Sequence, residues 1–371
     1  MKNILIAAGG TGGHIYPGLA IAACLKKHVP EATITFVGSY VGMEKDIVPR
    51  YGYPMEFIRA RGFEKGFSLK TIAALKNVLF DSVRDSKKLL KKYHPAIVIG
   101  TGGFTSGMLL KEAAHEGIPT LIHEQNAFPG RANRMASRHA DCVALSFIEA
   151  KQYFDGAHTV LCGNPVRDEF KSVSKQAMRQ RLGLKPEQKM VLAMGGSQGA
   201  VSINEAMKDL MSYYYKNKKI IIYQLTGKKN YETIEKELAK KHIIVSKDSN
   251  CRLLGYSNHM EVLMGASDLV IGRSGASSIA EMAASGTPAI LIPYPYAAGD
   301  HQRFNAQAVA NAGAGIVIED DALTGEMLID KVSHLIQDDQ KLETMHECAK
   351  GYAKLDADER IVEEIMKLMH A

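Results

Sequence analysis

Asp268-Leu-Val-Ile-Gly272, Arg273-Ser-Gly-Ala-Ser-Ser278 and the Ile279, Met282, Ala283 periodicity behind them decide the fold of this chain. The first piece is a short apolar, β-branched run of the kind that forms a buried strand. Small residues then open a helix that carries Glu281 within its first two turns. A strand that feeds a helix through small residues leaves backbone N–H groups pointing out of the helix start, where the dipole favours phosphate. Glu281, about one turn further in, can accept from two adjacent ribose hydroxyls, because an ionised carboxylate only accepts. The same pattern also suits an ordinary strand–helix unit with a glutamate near its helix start. Beyond Pro293 and Pro295, Asp300-His-Gln-Arg-Phe-Asn305 supplies a polar cluster able to read sugar hydroxyls.

The pattern recurs upstream. Met190 to Met194 reads as a strand, Gly195-Gly-Ser-Gln-Gly199 as a glycine turn and Ile203 to Met211 as a helix; Ile220 to Leu225 is the next strand, and Val245 falls in another. Nearer the N-terminus, a strand from Asn3 to Ala8 breaks at Gly9-Gly-Thr-Gly-Gly-His14 before a helix that Pro17 opens and Leu19 to Leu25 carry. Thr33 to Val37 is a second strand. Ala96 to Ile99 runs into Gly100-Thr-Gly-Gly-Phe-Thr-Ser106, and Thr120 to His123 ends in Glu124-Gln-Asn126. Cys142 to Leu145 and Thr159 to Leu161 complete the first set, and the turn Gly163-Asn-Pro-Val-Arg167 marks a boundary. Both halves repeat strand, glycine turn and helix. The expectation is an α/β protein of two doubly wound, Rossmann-like domains facing each other across a cleft, with ligands at the C-terminal ends of the strands. The divisions are 1–163, 164–350 and a helical tail, 351–371, that packs back on the first domain.

Several rival chemistries are weakened by spacing. The first glycine turn lacks the Gly-Lys-Ser/Thr of a phosphate-binding loop. A dinucleotide fingerprint starting at Gly10 needs a small residue at Ile15 and an acid ending the second strand, where the nearest is Glu44. His123-Glu124 is not a zinc-peptidase pair, because Ala127 stands where the second histidine belongs. Gly195-Gly-Ser197-Gln-Gly199 does match a nucleophile elbow, with Asp300 and His301 downstream in triad order. Those two are chain neighbours, a poor arrangement for an acid orienting a histidine towards Ser197. His14, at a helix N-terminus that disfavours imidazolium, suits a general base; a histidine that only caps the turn is the plainer alternative.

Composition sets the outer bounds. With 371 residues, 46% hydrophobic and 23% charged, the chain is an ordinary globular protein of about two domains, and a net charge of +6 names no nucleic-acid partner. The five scattered cysteines show no Cys-x-x-Cys spacing, and Asp356-Ala-Asp358 sits where a helix dipole explains its charges, so no metal site is expected. No apolar run is long enough to cross a bilayer. Residues Ser68 to Lys92 hold a helix whose Leu75, Leu79, Phe80 and Val83 share a face flanked by lysines. Such a face packs in a core or docks on an anionic membrane.

Taken together, Gly9-Gly-Thr-Gly-Gly-His14, Gly102-Gly-Phe-Thr-Ser106, His123-Glu-Gln-Asn126, Gly163-Asn-Pro-Val-Arg167, Gly195-Gly-Ser-Gln-Gly-Ala200, Arg273-Ser-Gly-Ala276 with Glu281, and Asp300-His-Gln302 with Asn305 fall in the order seen in one family. The chain resembles, over nearly its whole length, the MurG family of bacterial glycosyltransferases (family 28). Its members transfer N-acetylglucosamine from UDP-N-acetylglucosamine to the undecaprenyl-diphosphate-linked muramyl-pentapeptide. The resemblance implies a GT-B fold, with the acceptor on the N-terminal domain and the nucleotide sugar on the C-terminal one. It implies that Glu281 holds the ribose, Ser197 with Ala276, Ser277 and Ser278 the diphosphate, Arg167 the nucleotide, and the backbone at Ser257 the uracil edge. Gln302, with His301 and Asn126, would read the amino sugar; Thr11, Gly12 and Gly13 would lie near sugar and acceptor, with His14 as base. It further implies an inverting, metal-independent reaction with no cofactor. The enzyme would sit at the cytoplasmic face of the membrane, attached through the Leu75, Leu79, Phe80, Val83 face. A UDP-N-acetylglucosamine 2-epimerase, a transferase with a soluble acceptor and a non-catalytic sugar-nucleotide regulator are the alternatives.

Overall fold

In the computed structural model, which describes residues 2–59 and 69–370 and only the backbone of 69–79, the chain divides into two compact units. One comprises residues 1–166 with 354–371, the other residues 167–353.

The first unit is built on seven parallel strands: β1 (Asn3–Ala8), β2 (Thr33–Ser39), β3 (Met55–Ile58), β4 (Ile97–Gly102), β5 (Thr120–Glu124), β6 (Cys142–Leu145) and β7 (Thr159–Leu161), in the order β3-β2-β1-β4-β5-β6-β7. Strands buried on both faces read as continuous apolar runs. Along β1, Ile4, Ile6 and Ala8 enter one core while Leu5 and Ala7 enter the other, as the two-residue period of a strand requires. The first core also takes Ile15, Leu19 and Leu25 of helix Gly12–His28, and Ile361, Val362 and Ile365 of the last helix, Ala357–His370.

The second unit has six parallel strands: β8 (Lys189–Met194), β9 (Ile220–Leu225), β10 (Cys251–Leu254), β11 (Leu269–Gly272), β12 (Ala289–Leu291) and β13 (Gly315–Val317), in the order β10-β9-β8-β11-β12-β13. Its largest core joins Val191 and Ala193 of β8 to Ile203, Met207 and Leu210 of helix Val201–Tyr214 and to Leu328, Val332 and Leu335 of helix Gly325–Gln337. In each sheet the chain starts in the middle, winds one way and then the other. The switch points are β1/β4 and β8/β11, where open α/β sheets bind ligands.

The structure corrects the sequence reading in places. Helix Gly12–His28 begins five residues before Pro17, which sits inside it and forfeits only the bond to the Gly13 carbonyl. Val245 lies outside any strand; the strand is Cys251–Leu254, with Cys251 and Leu253 turned to the core. Strands β3, β12 and β13, of four, three and three residues, are additions to the sequence reading. The long helix spans Leu69–Tyr93. Of its proposed docking face, the Leu75 and Leu79 side chains lie outside the described residues, Phe80 is 70% exposed and Val83 is half-buried. No helix among the described residues is long and apolar enough to cross a membrane.

Candidate functional site

At the first switch point two glycine turns interlock. The chain leaves β1 through Gly10, with φ +88°, and enters a helix whose first turn carries His14. The His14 Nδ1 lies 2.8 Å from the Gly9 carbonyl oxygen, with Thr11 Oγ1 at 3.5 Å. A carbonyl only accepts, so Nδ1 carries the ring proton and Nε2 keeps its lone pair. The turn after β4 lies against this one: a Cβ at Gly102 would come within 2.6 Å of His14 Cδ2, and one at Gly103 within 2.6 Å of the Gly9 oxygen. Both glycines have positive φ, +121° and +87°, so neither position accepts a side chain.

Buried polar groups fasten this arrangement. Thr101 Oγ1 donates to the His14 carbonyl at 2.7 Å, and Gln125 Nε2 donates to the Thr101 carbonyl at 2.8 Å. The same amide lies 3.1 Å from Nδ1 of His123, whose Nε2 donates to the Gly163 carbonyl, also at 3.1 Å. Burial pushes the His123 pKa down to about 4, so this imidazole is neutral and structural. Burial also raises the Glu124 carboxyl, while hydrogen bonds from Asn126 N, Asn133 Nδ2 and Gly130 N pull it back. Asn126 is thereby held just after the end of β5, the strand next to β4, with its amide 3.3 Å from Glu124 Oε1. Glu44, the acid nearest the end of β2, is fully buried. It accepts from Gly10 N at 3.0 Å, Ser39 N at 2.8 Å and Ser39 Oγ at 3.0 Å. In a dinucleotide site the corresponding acid faces ribose. Here it is turned inward.

At the second switch point the turn Gly195–Gly199 follows β8, and helix Ala276–Ala284 follows the adjacent β11. Ser197 is exposed, and Ala276, Ser277 and Ser278 form the first turn of the helix. Gly196 and Gly199 have positive φ whereas Ser197 does not, so the strained serine of a nucleophile elbow is missing. His301 is bound through Nδ1 to the Ala298 carbonyl at 2.7 Å, so Asp300 does not orient that nitrogen. Asn230 Nδ2 holds the glycine turn through the Gln198 and Thr226 carbonyls, at 3.2 and 2.9 Å.

Glu281 faces Arg167, with Oε1 3.0 Å from the guanidinium Nε, while the Arg167 guanidinium lies 4.9 Å from the centre of the Phe170 ring. Burial raises the Glu281 carboxyl above its ordinary range; Arg167 opposes the rise, and the charges of Glu261 and Glu169 add to it. Helix His301–Asn311 is tied to the same rim, because Ser274 Oγ donates to the Gln302 carbonyl at 2.7 Å and Asn305 Nδ2 to the Ser274 carbonyl at 3.2 Å. The Gln302 side chain accepts from Tyr294 N at 3.1 Å. Arg273 braces the loops behind through Asp320, Ser202 and the Ile292 and Pro293 carbonyls. Ser257, after β10, accepts from His259 N at 3.1 Å and stands apart from these groups, with β9 between its strand and β8.

The first unit therefore gathers Thr11, Gly12, Gly13 and His14 in one turn. The second gathers Ser197, Ala276 to Ser278, Glu281, Arg167 and Gln302 along one sheet rim. The sequence assigns no role to Glu44, Thr101, Asn230 or the Arg273–Asp320 pair, although Thr101 and Arg273 fall within the quoted motifs and Glu44 is the acid nearest the end of β2. Among the described residues, three groups of His, Cys and carboxylate side chains are close enough to share a cation: Cys24, His28 and Glu359; Cys142, His158 and Glu364; and Glu343, His346 and Glu347. None includes a residue of either glycine-turn site.

Residues 4–145 match the glycosyltransferase family 28 N-terminal domain, and residues 190–361 match the family 28 C-terminal domain. The UDP-N-acetylglucosamine–N-acetylmuramyl-(pentapeptide) pyrophosphoryl-undecaprenol N-acetylglucosamine transferase of Acetivibrio thermocellus is 39% identical over 368 residues, covering 99% of this chain and 98% of the relative. Its counterpart in Desulforudis audaxviator is 40% identical over 367 residues, covering 99% and 98%. The crystal structure of Acinetobacter baumannii MurG matches with a TM-score of 0.80 at 26% identity, covering 99% of this chain and 100% of that one. A UDP-GlcNAc 2-epimerase from Neisseria meningitidis shares the fold, with a TM-score of 0.67 at 16% identity over 99% and 100%.

Proposed function

The chain belongs to glycosyltransferase family 28, and we propose that it moves N-acetylglucosamine from UDP-N-acetylglucosamine to the 4-hydroxyl of undecaprenyl-diphospho-N-acetylmuramyl-pentapeptide. The observation that carries this reading is the end-to-end likeness to relatives named for that transfer. An epimerase with the same fold has much lower identity, and its fold alone says nothing of chemistry.

In this reading the first unit takes the acceptor and the second the sugar nucleotide. The acceptor oxygen attacks the anomeric carbon, the bond from that carbon to the diphosphate oxygen breaks, and the configuration inverts. His14 Nε2 takes the hydroxyl proton, a role supported by the proton on Nδ1. Thr11, Gly12 and Gly13 lie beside it on the acceptor side. The negative charge that develops on UDP is met by the N–H groups of the turn Ala276–Ser278 and by the Ser197 hydroxyl. Glu281 accepts from the ribose hydroxyls once Arg167 turns to the nucleotide, and the Ser257 backbone meets the uracil. Gln302, His301 and Asn126 read the amino sugar.

Charge stabilisation by helix termini needs no cation, so transfer proceeds without a metal ion. The lipid-linked acceptor places the enzyme at the cytoplasmic face of the membrane, bound peripherally through the Leu75, Leu79, Phe80, Val83 face and its lysines. Exposed Phe80 supports that contact. The deciding experiment follows UDP release from UDP-N-acetylglucosamine in EDTA, with and without a short-chain analogue of the acceptor. Release that depends on the analogue is expected. Release without it would replace the transferase by a hydrolase or epimerase, and rescue only by added Mg²⁺ would overturn the metal-free step.

A further inference from the structure

We propose that Glu44 is a positioning residue for His14, acting through the single peptide group that joins Gly9 to Gly10. The inference rests on the reading of His14 as the general base. Its ring Nδ1–H donates to the Gly9 oxygen at 2.8 Å, and Gly10 N donates to Glu44 Oε2 at 3.0 Å. The Gly9 carbonyl and the Gly10 N–H are the two ends of one planar amide. Imidazole and carboxylate are thus linked in series across that amide.

The consequence is electrostatic. A carboxylate at the N–H end pushes density towards the carbonyl oxygen, and hydrogen bonds in series polarise one another. The Gly9 oxygen becomes a better acceptor for Nδ1–H. This fixes the tautomer that leaves Nε2 as base and stabilises the imidazolium that forms when Nε2 takes a proton. A directly bonded aspartate does the same work in a Ser-His-Asp triad. Here one peptide group stands between acid and base.

The surroundings fit a group built for this purpose. Glu44 is 0% exposed, and each of its three hydrogen-bond partners is a donor, which matches the acceptor-only chemistry of an ionised carboxylate. Ser39 holds Oε1 through both its N–H and its hydroxyl and so aims Oε2 at Gly10. Two glycines make room for it: a Cβ at Gly38 would sit 2.4 Å from Glu44 Cγ, and one at Gly42 would sit 2.0 Å from Oε2.

The test uses the full chain and reads the imidazole directly. Long-range ¹H–¹⁵N spectra, with the His14 signals assigned by difference against His14→Gln, report its tautomer, and steady-state kinetics report kcat and KM. Glu44→Gln is expected to convert a single Nδ1–H tautomer into a mixture and to lower kcat about tenfold, with the KM for UDP-N-acetylglucosamine changed by less than about twofold. Gly42→Ala, whose methyl meets the whole Glu44 carboxylate, 2.0 Å from Oε2 and 2.1 Å from Oε1, and displaces it from Gly10 while keeping the charge, is expected to move the tautomer the same way. It carries the test if Glu44→Gln does not fold. An unchanged tautomer in a folded variant, whatever its activity, overturns the relay and leaves Glu44 a purely structural anchor. A shifted tautomer with unchanged kcat sustains the relay and instead removes His14 from the reaction.

Discussion

The two glycine-turn sites share a backbone plan and differ in what stands behind it. Each follows a central parallel strand, at a switch point, and opens a helix. Behind the first lie a histidine, a buried carboxylate and a chain of amides and hydroxyls reaching back to His123. The second has an exposed serine, the bare start of a neighbouring helix and an Arg–Glu pair that meets solvent. The shared plan supplies close backbone approach, and in the proposed reading the backing makes one site handle a proton and the other an anion. The first suits proton removal and the second suits phosphate.

If this division of labour holds, the largest effect follows from deleting the base. His14→Ala is expected to lower turnover by more than about tenfold while the UDP-N-acetylglucosamine Kd changes by less than about twofold, as measured by steady-state kinetics and calorimetry. A matching loss of sugar-nucleotide affinity would erase the contrast between the sites.

On the other side, Glu281→Gln is expected to weaken UDP binding roughly tenfold, since a charge-assisted hydrogen bond is worth about 1.5–3 kcal/mol. The pH dependence sharpens this. Because burial raises the Glu281 carboxyl, the ionised form that accepts from ribose is lost, as pH falls, at a pH above the ordinary glutamate value of 4.5. UDP affinity is therefore expected to fall on acidification in that range, and the fall to shrink in Glu281→Gln to the part that protonation of the UDP phosphate contributes. In Arg167→Met it moves to higher pH, because the opposing cation is gone while Glu261 and Glu169 remain. The same pH profile in all three proteins would remove Glu281 from the nucleotide site.

The smallest effect concerns the membrane. Phe80→Ser is expected to reduce co-sedimentation with anionic lipid vesicles several-fold and to leave UDP affinity untouched, since a ring that enters the interface only in part recovers only part of the free energy of full burial. Unchanged sedimentation would return this helix face to an ordinary solvated role.

Much of the site was legible in the sequence because glycine turns are local. Gly9 to His14 and Gly195 to Gly199 announce themselves by composition, and strands such as Ile220–Leu225 by continuous apolar runs. What remained hidden depends on register between distant segments. Glu44 lies 34 residues from Gly10, and Arg273 lies 47 residues from Asp320, so no spacing rule connects them. The acid after β2 was noticed only as a misplaced ribose ligand. Its inward turn needs Gly38 and Gly42, where a Cβ would meet the Glu44 side chain. Strand β10 stayed hidden because its apolar positions alternate over only four residues, too short a stretch to outweigh the apolar run around Val245.

The interlocked glycines at 102 and 103 bear on how this protein can change. Any side chain at Gly103 would meet the Gly9 oxygen at 2.6 Å, and any at Gly102 would meet the imidazole, so neither position has a neutral substitution open to it. An inhibitor that rested on the backbone of Gly102 and Gly103 would contact two positions with no side chain to exchange. Escape by mutation at either would have to displace His14 or the Gly9 carbonyl.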